Sequence, residues 1–462
     1  MVSFLLFSLI FSTSTAFSPS SSPLTTQPKP TIAMLLSGGV DSSVALGLLH
    51  QQNTYNIKCY YLRIWLEDEV AYLGQCPWED DWNFCSSVCA QFNIPLESIP
   101  LETEYKSRVI NYALAEARNG RTPNPDIMCN SRIKFGAFLD KISHLNYDYI
   151  ASGHYARTNG SGSLFRAVDD FKDQSYFLSA LSRAQLSKLK FPIGDYTKPQ
   201  VRELASAMDL PNKARPDSQG LCFLGKVKFD SFIENYLGVN PGDVVDLKTN
   251  KIIGRHQGLW FHTIGQRKGL GDYLDDPYHA KGPWYVVSKS VENNVLHVTN
   301  RYDDDDIAGV ERRELSIEDI HIHGEGEGEG EGEGEEALSS NDRVFVKLRH
   351  GPRIVGGTLF LNSNDNNSDT PEIDFKSMKV AELRKECAER NLDEKGLKAV
   401  LIKRLESSSS SVDFNTSEGK IVLDEKDSGL APGQFVVFYK SDNKSVETDA
   451  DSSKVLGWAK IC

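Results

Sequence analysis

A serine-rich turn and two cysteines carry the chemistry open to this chain. The turn is Leu35-Leu36-Ser37-Gly38-Gly39-Val40-Asp41-Ser42-Ser43. The apolar run Thr31 to Leu36 before it predicts a buried strand, and Val44 to His50 after it predicts a helix. A strand, a Gly-Gly turn and serines at a helix start make a phosphate cradle. The glycines let the backbone approach an anion, and the helix N-terminus offers unpaired N–H groups and partial positive charge. Ser37, Ser42 and Ser43 add hydroxyl donors. Asp41 makes sense in an anion site if a divalent cation stands between it and the phosphates. The Gly-Lys-Ser/Thr of a Walker loop is missing from the turn. The plain alternative is an ordinary strand-to-helix turn.

The first cysteine lies in Gly120-Arg121-Thr122-Pro123-Asn124-Pro125-Asp126-Ile127-Met128-Cys129-Asn130. Its two prolines force an extended loop, so Asp126 and Cys129 fall at the exit, near the start of the next helix. A thiol at a helix N-terminus has a lowered pKa and is a better nucleophile. The second cysteine lies in Arg215-Pro216-Asp217-Ser218-Gln219-Gly220-Leu221-Cys222-Phe223, a polar, glycine-containing loop of the kind that carries reactive residues. Either cysteine alone could as well be a small buried hydrophobe. Beside a phosphate turn the pair is far more specific. Cys76, Cys85 and Cys89 form a further cluster with three sulfurs and wide spacing. A metal site wants four ligands in paired spacing, so these read as structural cysteines and no resident metal site is expected.

At SGGVDSS the chain resembles the N-type ATP pyrophosphatases, which cleave ATP to AMP and pyrophosphate. Further segments follow: GRTPNPDIMCN, ASGHY at 151–155, KDQSYFL at 172–178, DSQGLCF at 217–223, GLWFHTIGQRKGLG at 258–271, WYVV at 284–287 and APGQFVVFY at 431–439. In this order they resemble the tRNA-specific 2-thiouridylases, the bacterial MnmA family and its organellar relatives. Argininosuccinate and GMP synthetases share the turn but lack the paired cysteines.

The resemblance implies ATP and Mg2+ at the Leu35–Ser43 turn, with Gly153 and Leu62 as further ATP contacts. Leu62 stands where a methionine often lines the adenine site. It implies a tRNA whose wobble uridine is flipped into the pocket. The uridine C2 oxygen attacks the α-phosphate and pyrophosphate leaves. Sulfur loaded on Cys222 as a persulfide by a donor protein, a cysteine desulfurase or a relay, then reaches C2 as AMP departs. Cys129 is the implied nucleophile that releases the sulfur, leaving a Cys129–Cys222 disulfide to be reduced. Asp126 is implied to assist proton transfer. Implied tRNA contacts are Asn124, Pro125, His154, Lys172, Asp173, Gln174, Gln434, and Arg349 with His350, which stands where the family usually has a tyrosine. For His154 a plain structural histidine is the alternative. A second function class, a nucleic-acid-binding protein whose catalysis has lapsed, is opposed by the intact turn, Asp126, Cys129 and Cys222.

These residues need rigid elements to hold them. The chain has 462 residues, enough for two or three domains, and eight cysteines at that length do not suggest a disulfide scaffold. No apolar run in the mature part is long enough to cross a membrane. A formal net charge of −13 looks wrong for a tRNA binder. Much of the acid is local, however: the Gly-Glu repeat at 324–336, Asp303 to Asp306 and the stretch 442–451. Arg118, Arg121, Arg132, Lys134, Lys172, Arg255, Arg267 and Lys268 recur in the matched segments.

The expected fold is α/β: a doubly wound parallel-sheet ATP pyrophosphatase domain over 31–190, with the Cys222 loop at 212–225 returning to it. A central tRNA-binding domain spans 191–300, with helices at Lys198 to Met208 and Lys228 to Leu237. A C-terminal β-barrel spans 301–362 and 418–462, with strands expected at Arg343 to Lys347, Gly357 to Leu361, Lys420 to Leu423, Phe435 to Tyr439 and Val455 to Ala459. The barrel is interrupted by an insertion whose core, 372–407, reads as two short helices. Val380, Leu383 and Cys387 share one face, as do Leu397, Val400, Leu401 and Leu405. The pair resembles a SAP motif, which implies an extra nucleic-acid contact through Lys395, Lys398, Lys403 and Arg404. The alternative is a tolerated surface insertion.

Residues 1–30 read as a targeting segment. Val2 to Phe11 is almost wholly apolar, and Phe17 to Pro30 is rich in Ser, Thr and Pro. Thr15-Ala16-Phe17-Ser18-Pro19 resembles the junction of the bipartite plastid presequences of algae with secondary plastids. A plastid is therefore expected, with the mitochondrion as the alternative.

Overall fold

Thr31–Leu35 forms β1, the centre of a parallel sheet, because its side chains are apolar on both faces. Ile32 and Met34 enter one core with Cys59 and Tyr61, while Ala33 and Leu35 enter the other with Tyr60. The structure is a computed structural model. It describes residues 28–64, 77–217, 229–301, 312–323, 338–362, 378–389, 398, 401–402, 418–427, 429–440 and 453–462. The targeting segment to residue 27, Cys76, Cys222, the Gly-Glu repeat and most of the second insertion helix lie outside the described residues.

In the first domain β2 (Asn56–Arg63), β3 (Leu96–Pro100) and β4 (Tyr149–Ala151) join β1. A hairpin of β5 (Ala156–Thr158) and β6 (Leu164–Arg166) follows, then β7 (Leu189–Lys190). The sheet order is β3-β2-β1-β4-β7, all parallel. The order reverses between β1 and β4, and doubly wound sheets bind ligands at the carboxyl ends of strands there. Helix α1 (Val40–Gln52) leaves β1 at that point and α2 (Pro77–Phe92) covers the same face. Helix α3 (Pro125–Met128) opens the helical run that carries Cys129.

Helix α4 (Lys198–Ala207) corrects the expected boundary at 190. Val201, Ala205 and Leu210 are buried in the same core as Val44 and Leu49 of α1, so the segment belongs to the first domain. Helix α5 (Phe229–Leu237) also sends Ile233 into that domain's other core. The central domain itself is a four-stranded sheet of β8 (Gly242–Asp246), β9 (Lys251–His256), β10 (Tyr285–Ser290) and β11 (Val295–Thr299), ordered β10-β11-β8-β9.

The C-terminal unit is a closed barrel. It is built from β12 (Arg312–Ile322), β13 (Arg343–Lys347), β14 (Val355–Leu361), β15 (Glu418–Asp427), β16 (Phe435–Tyr439) and β17 (Val455–Ile461), paired β12-β15-β14-β13-β16-β17. β12 is missing from the expected strands. Its apolar alternation breaks between Ile317 and Ile320, where the register shifts and Asp319 sits at φ 50°. β16 is buried on both faces. Val436 and Phe438 fill the barrel, while Phe435, Val437 and Tyr439 pack on the first domain. In the insertion, Leu383 of α6 (Val380–Glu389) is buried with Leu401.

Candidate active site

The phosphate turn is shaped by glycine geometry. Gly38 takes φ +75°, and a Cβ there would lie 2.7 Å from the Asp81 carbonyl oxygen. Gly39 is the N-cap of α1. Ser42 Oγ and Ser43 Oγ each donate to the Gly39 carbonyl at 3.0 Å, and Ser37 N donates to Ser42 Oγ at 3.3 Å. The first amides of α1 then point out of the helix end, as anion binding requires. The exit of β4 closes the other side. A Cβ on Gly153 would lie 2.5 Å from Ser42 N and 2.6 Å from Ser42 Cα, so only glycine fits against the first turn of α1.

Asp41 stands at the rim of this turn. Its Oδ1 accepts from the Tyr155 hydroxyl at 3.0 Å and from Lys198 Nζ at 2.6 Å. Burial and the Asp41 charge push the Tyr155 phenol up, so it stays a donor. Lys198 Nζ also lies 2.9 Å from Asp217 Oδ1, which Arg202 pairs as well, while Lys172 takes Oδ2. Burial works against a charge on Asp217. Hydrogen bonds from Lys172 and Lys198 overcome it and hold the carboxyl well below the usual range. Behind Asp217 the chain is fastened to the turn itself. Asn212 Nδ2 donates to the Gly38 carbonyl at 2.7 Å and to Ser43 Oγ at 2.9 Å. Arg215 Nη1 donates to the same carbonyl at 3.1 Å, and its Nη2 pairs with Asp81.

The Cys129 loop is held by a cap and by the barrel. Asn124 caps α3, its Oδ1 accepting from Ile127 N at 3.3 Å, with Pro125 at the first helical position. The helix runs on as a π-helix over Cys129–Ala137, so Cys129 falls in the second turn, not at the very start. Cys129 is buried in the core that also takes Leu35 and Leu62, and Asp126 is half-buried beside it. Gln434 Nε2 donates to the carbonyls of Thr122 and Pro123 at 3.0 and 3.1 Å, and Thr122 N donates to Pro432 O at 2.7 Å. Cys85 and Cys89 of α2 are buried beside Cys59 of β2, where burial pushes the Cys85 thiol up. Among the described residues no three His, Cys, Asp or Glu are grouped to hold a metal ion.

Four family models match the chain. The tRNA methyl transferase HUP domain covers residues 30–226, the tRNA methyl transferase PRC-barrel domain 230–300, the SAP domain 374–408 and the aminomethyltransferase beta-barrel domain 398–445. A tRNA-specific 2-thiouridylase MnmA of Porphyromonas gingivalis is 43% identical over 332 residues, 71% of this chain and 88% of that protein. The chain belongs to the tRNA-specific 2-thiouridylase family. The enzyme of Parabacteroides distasonis is 46% identical over 59% of this chain and 74% of its own length. MnmA 1 of Bacteroides thetaiotaomicron is 41% identical over 71% and 87%. The 2-thiouridylases are tRNA-uridine sulfurtransferases. The SAP match falls on the expected insertion.

Within this thiouridylase two implied tRNA contacts need correction. Asp173 is 1% exposed, and its carboxylate accepts from Ala167 N at 3.0 Å, from Ser175 Oγ at 3.0 Å and from the wholly buried Lys347. It is a buried ion-pair partner that joins the first domain to the barrel, and no face of it meets solvent. His154 is buried between the rings of Phe135 and Phe191, with Nδ1 2.8 Å from Ser152 Oγ. Burial, with Lys134 nearby, keeps it neutral, which is the structural-histidine alternative. Asn124 and Pro125 are buried at the start of α3, whereas Lys172, Gln174, Arg349, His350 and Gln434 are half-buried or exposed. Gln174 accepts from Tyr155 N at 3.0 Å and Lys172 holds Asp217 at 2.8 Å. Arg349 pairs with Asp427, and His350 stacks on Phe177 with centroids 4.6 Å apart. Burial and Lys347 lower the His350 pKa, with Asp173 and then Asp126 opposing.

Asn212, Lys198, Arg202 and Tyr155 are the residues that the sequence reading misses. Arg215 and Asp217 stood inside its Cys222 segment without a role. A basic residue at the first position of α4 carries no signal until the fold brings Lys198 to Asp41.

Proposed function

We propose that this protein replaces the C2 oxygen of the wobble uridine in organellar tRNAs with sulfur, at the expense of ATP. The observation that carries the reading is the fastening of 212–217 onto the phosphate turn, because this is the segment that leads to Cys222. Cys222 follows Asp217 by five residues, so the chain can carry it no further than about 18 Å from that anchor. Adenylation and sulfur delivery are thereby kept in one neighbourhood, as a reaction on a single base demands.

The turn suits ATP: glycine at 38 and 153 lets the backbone pack tightly against Asp81 and the first turn of α1, and a helix N-terminus supplies unpaired amides for phosphate. Magnesium would be held by Asp41, where it neutralises charge on the leaving pyrophosphate. Tyr155 and Lys198 orient that carboxylate. The uridine C2 oxygen displaces pyrophosphate from the α-phosphorus. Cys129 then attacks the Cys222 persulfide, the Cys129–Cys222 disulfide forms, and the released hydrosulfide displaces AMP from C2. Asp126 takes the proton, and external thiol reduces the disulfide. Asn124 and Pro125 border the base, and Lys172, Gln174, Arg349 and Gln434 form the tRNA side. The sulfur comes from a donor protein that loads Cys222. The SAP segment adds a nucleic-acid contact, and residues 1–30 direct the protein to a plastid.

The test is reconstitution. Purified protein, ATP, magnesium, a persulfide donor and an unmodified tRNA with a wobble uridine should yield 2-thiouridine by nucleoside mass spectrometry, with one pyrophosphate per sulfur. Pyrophosphate release without 2-thiouridine, from protein whose Cys222 is demonstrably persulfidated, would overturn the reading.

A further inference from the structure

One ring on the first domain faces water with no use in the fold. Phe171 is 76% exposed, the most exposed large hydrophobic residue among those described and the one aromatic in that group. Its neighbour on the same turn, Val168, is 47% exposed. The backbone under them is held firmly. Asp169 Oδ1 accepts from Phe171 N at 3.0 Å and from Lys172 N at 3.1 Å, and its Oδ2 accepts from Lys198 N at 2.8 Å. On the far side Asp173 is locked to Lys347. The exposed ring is therefore displayed by a rigid turn, at little cost in ordering when something binds.

Its surroundings name the occupant. Lys172 follows it and reaches Asp217, and Lys198, fastened through the same Asp169, reaches Asp41. Phe171 is thus next in the chain to Lys172, whose partner Asp217 also takes Lys198 and Arg202, and Lys198 reaches Asp41 at the rim of the phosphate turn. A rigid exposed aromatic beside cations is the arrangement that binds unpaired nucleotides: the ring takes the base face and the cations meet the backbone. A base flipped out of a loop leaves its neighbours unstacked at the pocket mouth.

We infer that Phe171 is a stacking platform for the unpaired anticodon-loop base next to the one taken into the pocket. The inference rests on the thiouridylase reading above and adds to it a recognition contact outside the reacting groups. Stacking tolerates any base, so the contact raises affinity for the open loop without choosing its sequence.

The experiment uses anticodon stem-loops with 2-aminopurine placed 5′ or 3′ of the wobble uridine. The full-length protein should change the fluorescence of one of them. Phe171→Ala should abolish that change and weaken stem-loop binding roughly 5- to 150-fold, the range for one lost base–aromatic stack. Phe171→Trp should keep both. Pyrophosphate release at saturating tRNA should persist in both variants, which shows that the turn is intact. Equal fluorescence change and affinity in wild type and Phe171→Ala would overturn the inference. So would loss of sulfur transfer in Phe171→Ala with tRNA affinity unchanged, since the ring would then serve the cysteine segment. Wild-type protein that binds the loop and never thiolates it refutes the reaction and leaves the stacking contact standing.

Discussion

Asp173→Asn separates a tRNA contact from a buried ion pair. In the native fold Lys347 is wholly buried, and its ammonium faces the Asp173 carboxylate and the Tyr439 ring at 5.4 Å. Burial already lowers the Lys347 pKa, with Asp173 opposing. Without that charge the ammonium is a buried cation with no counter-ion, a change that costs about 3–5 kcal/mol. The loss has a ceiling, because lysine can shed its proton. At pH 7 that costs about 4.6 kcal/mol, taking about 1.36 kcal/mol for each pH unit below 10.4. At pH 9 the same route costs about 1.9 kcal/mol. The unfolded variant binds the proton that the folded one has lost, so stability must rise with pH. Urea unfolding followed by tryptophan fluorescence should show the deficit of Asp173→Asn shrinking by about half from pH 7 to pH 9. Trp458 reports on the site, since it packs against Phe435 at 5.1 Å on the buried side of the barrel. Adding Lys347→Met should restore most of the stability, and tRNA affinity should stay within about twofold throughout. Unchanged stability with tenfold weaker tRNA binding would refute the burial argument and return Asp173 to the tRNA surface.

Four further outcomes are expected. Gly153→Ala puts a methyl 2.5 Å from Ser42 N, so pyrophosphate release should fall at least tenfold while a gel shift still shows tRNA bound. Cys129→Ser and Cys222→Ser should each abolish 2-thiouridine by mass spectrometry, and Cys222→Ser should still release pyrophosphate. A reporter carrying residues 1–30 should enter the plastid by microscopy, and Phe17→Ala should block it at the envelope; mitochondrial fluorescence from the intact fusion would favour the alternative. Deleting 363–417 should leave the reaction intact at saturating tRNA and flatten the salt dependence of tRNA affinity, whereas an unchanged slope would make the insertion passive.

The sheet and the phosphate turn were legible because local pattern decides them. Thr31–Leu35 is buried on both faces, and only glycine serves at Gly38. Lys198–Ala207 was legible as a helix and not as a part of the first domain, because its partner α1 lies far off in the chain. The same distance hid the clamp: Asn212 and Arg215 meet Gly38 only in three dimensions. Asp173 and His154 were read as contacts from motif position, and nothing in KDQ or GHY tells that Lys347 or Phe191 covers them. β12 was lost to a bulge at Asp319, which breaks the period that strand reading relies on.

The insertion leaves and rejoins the barrel at two points already joined. Leu361 pairs with Gly419, and Asn362 N donates to Glu418 O at 3.2 Å. The strands are thus in register whatever hangs between them. For an ancestral gene, this makes the hairpin tip a socket: a passenger can be acquired in one genetic event, or lost in one, with the register of every barrel strand inherited unchanged. Selection can then act on the passenger's own binding while the enzyme beneath it goes on working. The same socket is where a bioengineer should graft a fluorescent or affinity module into this protein.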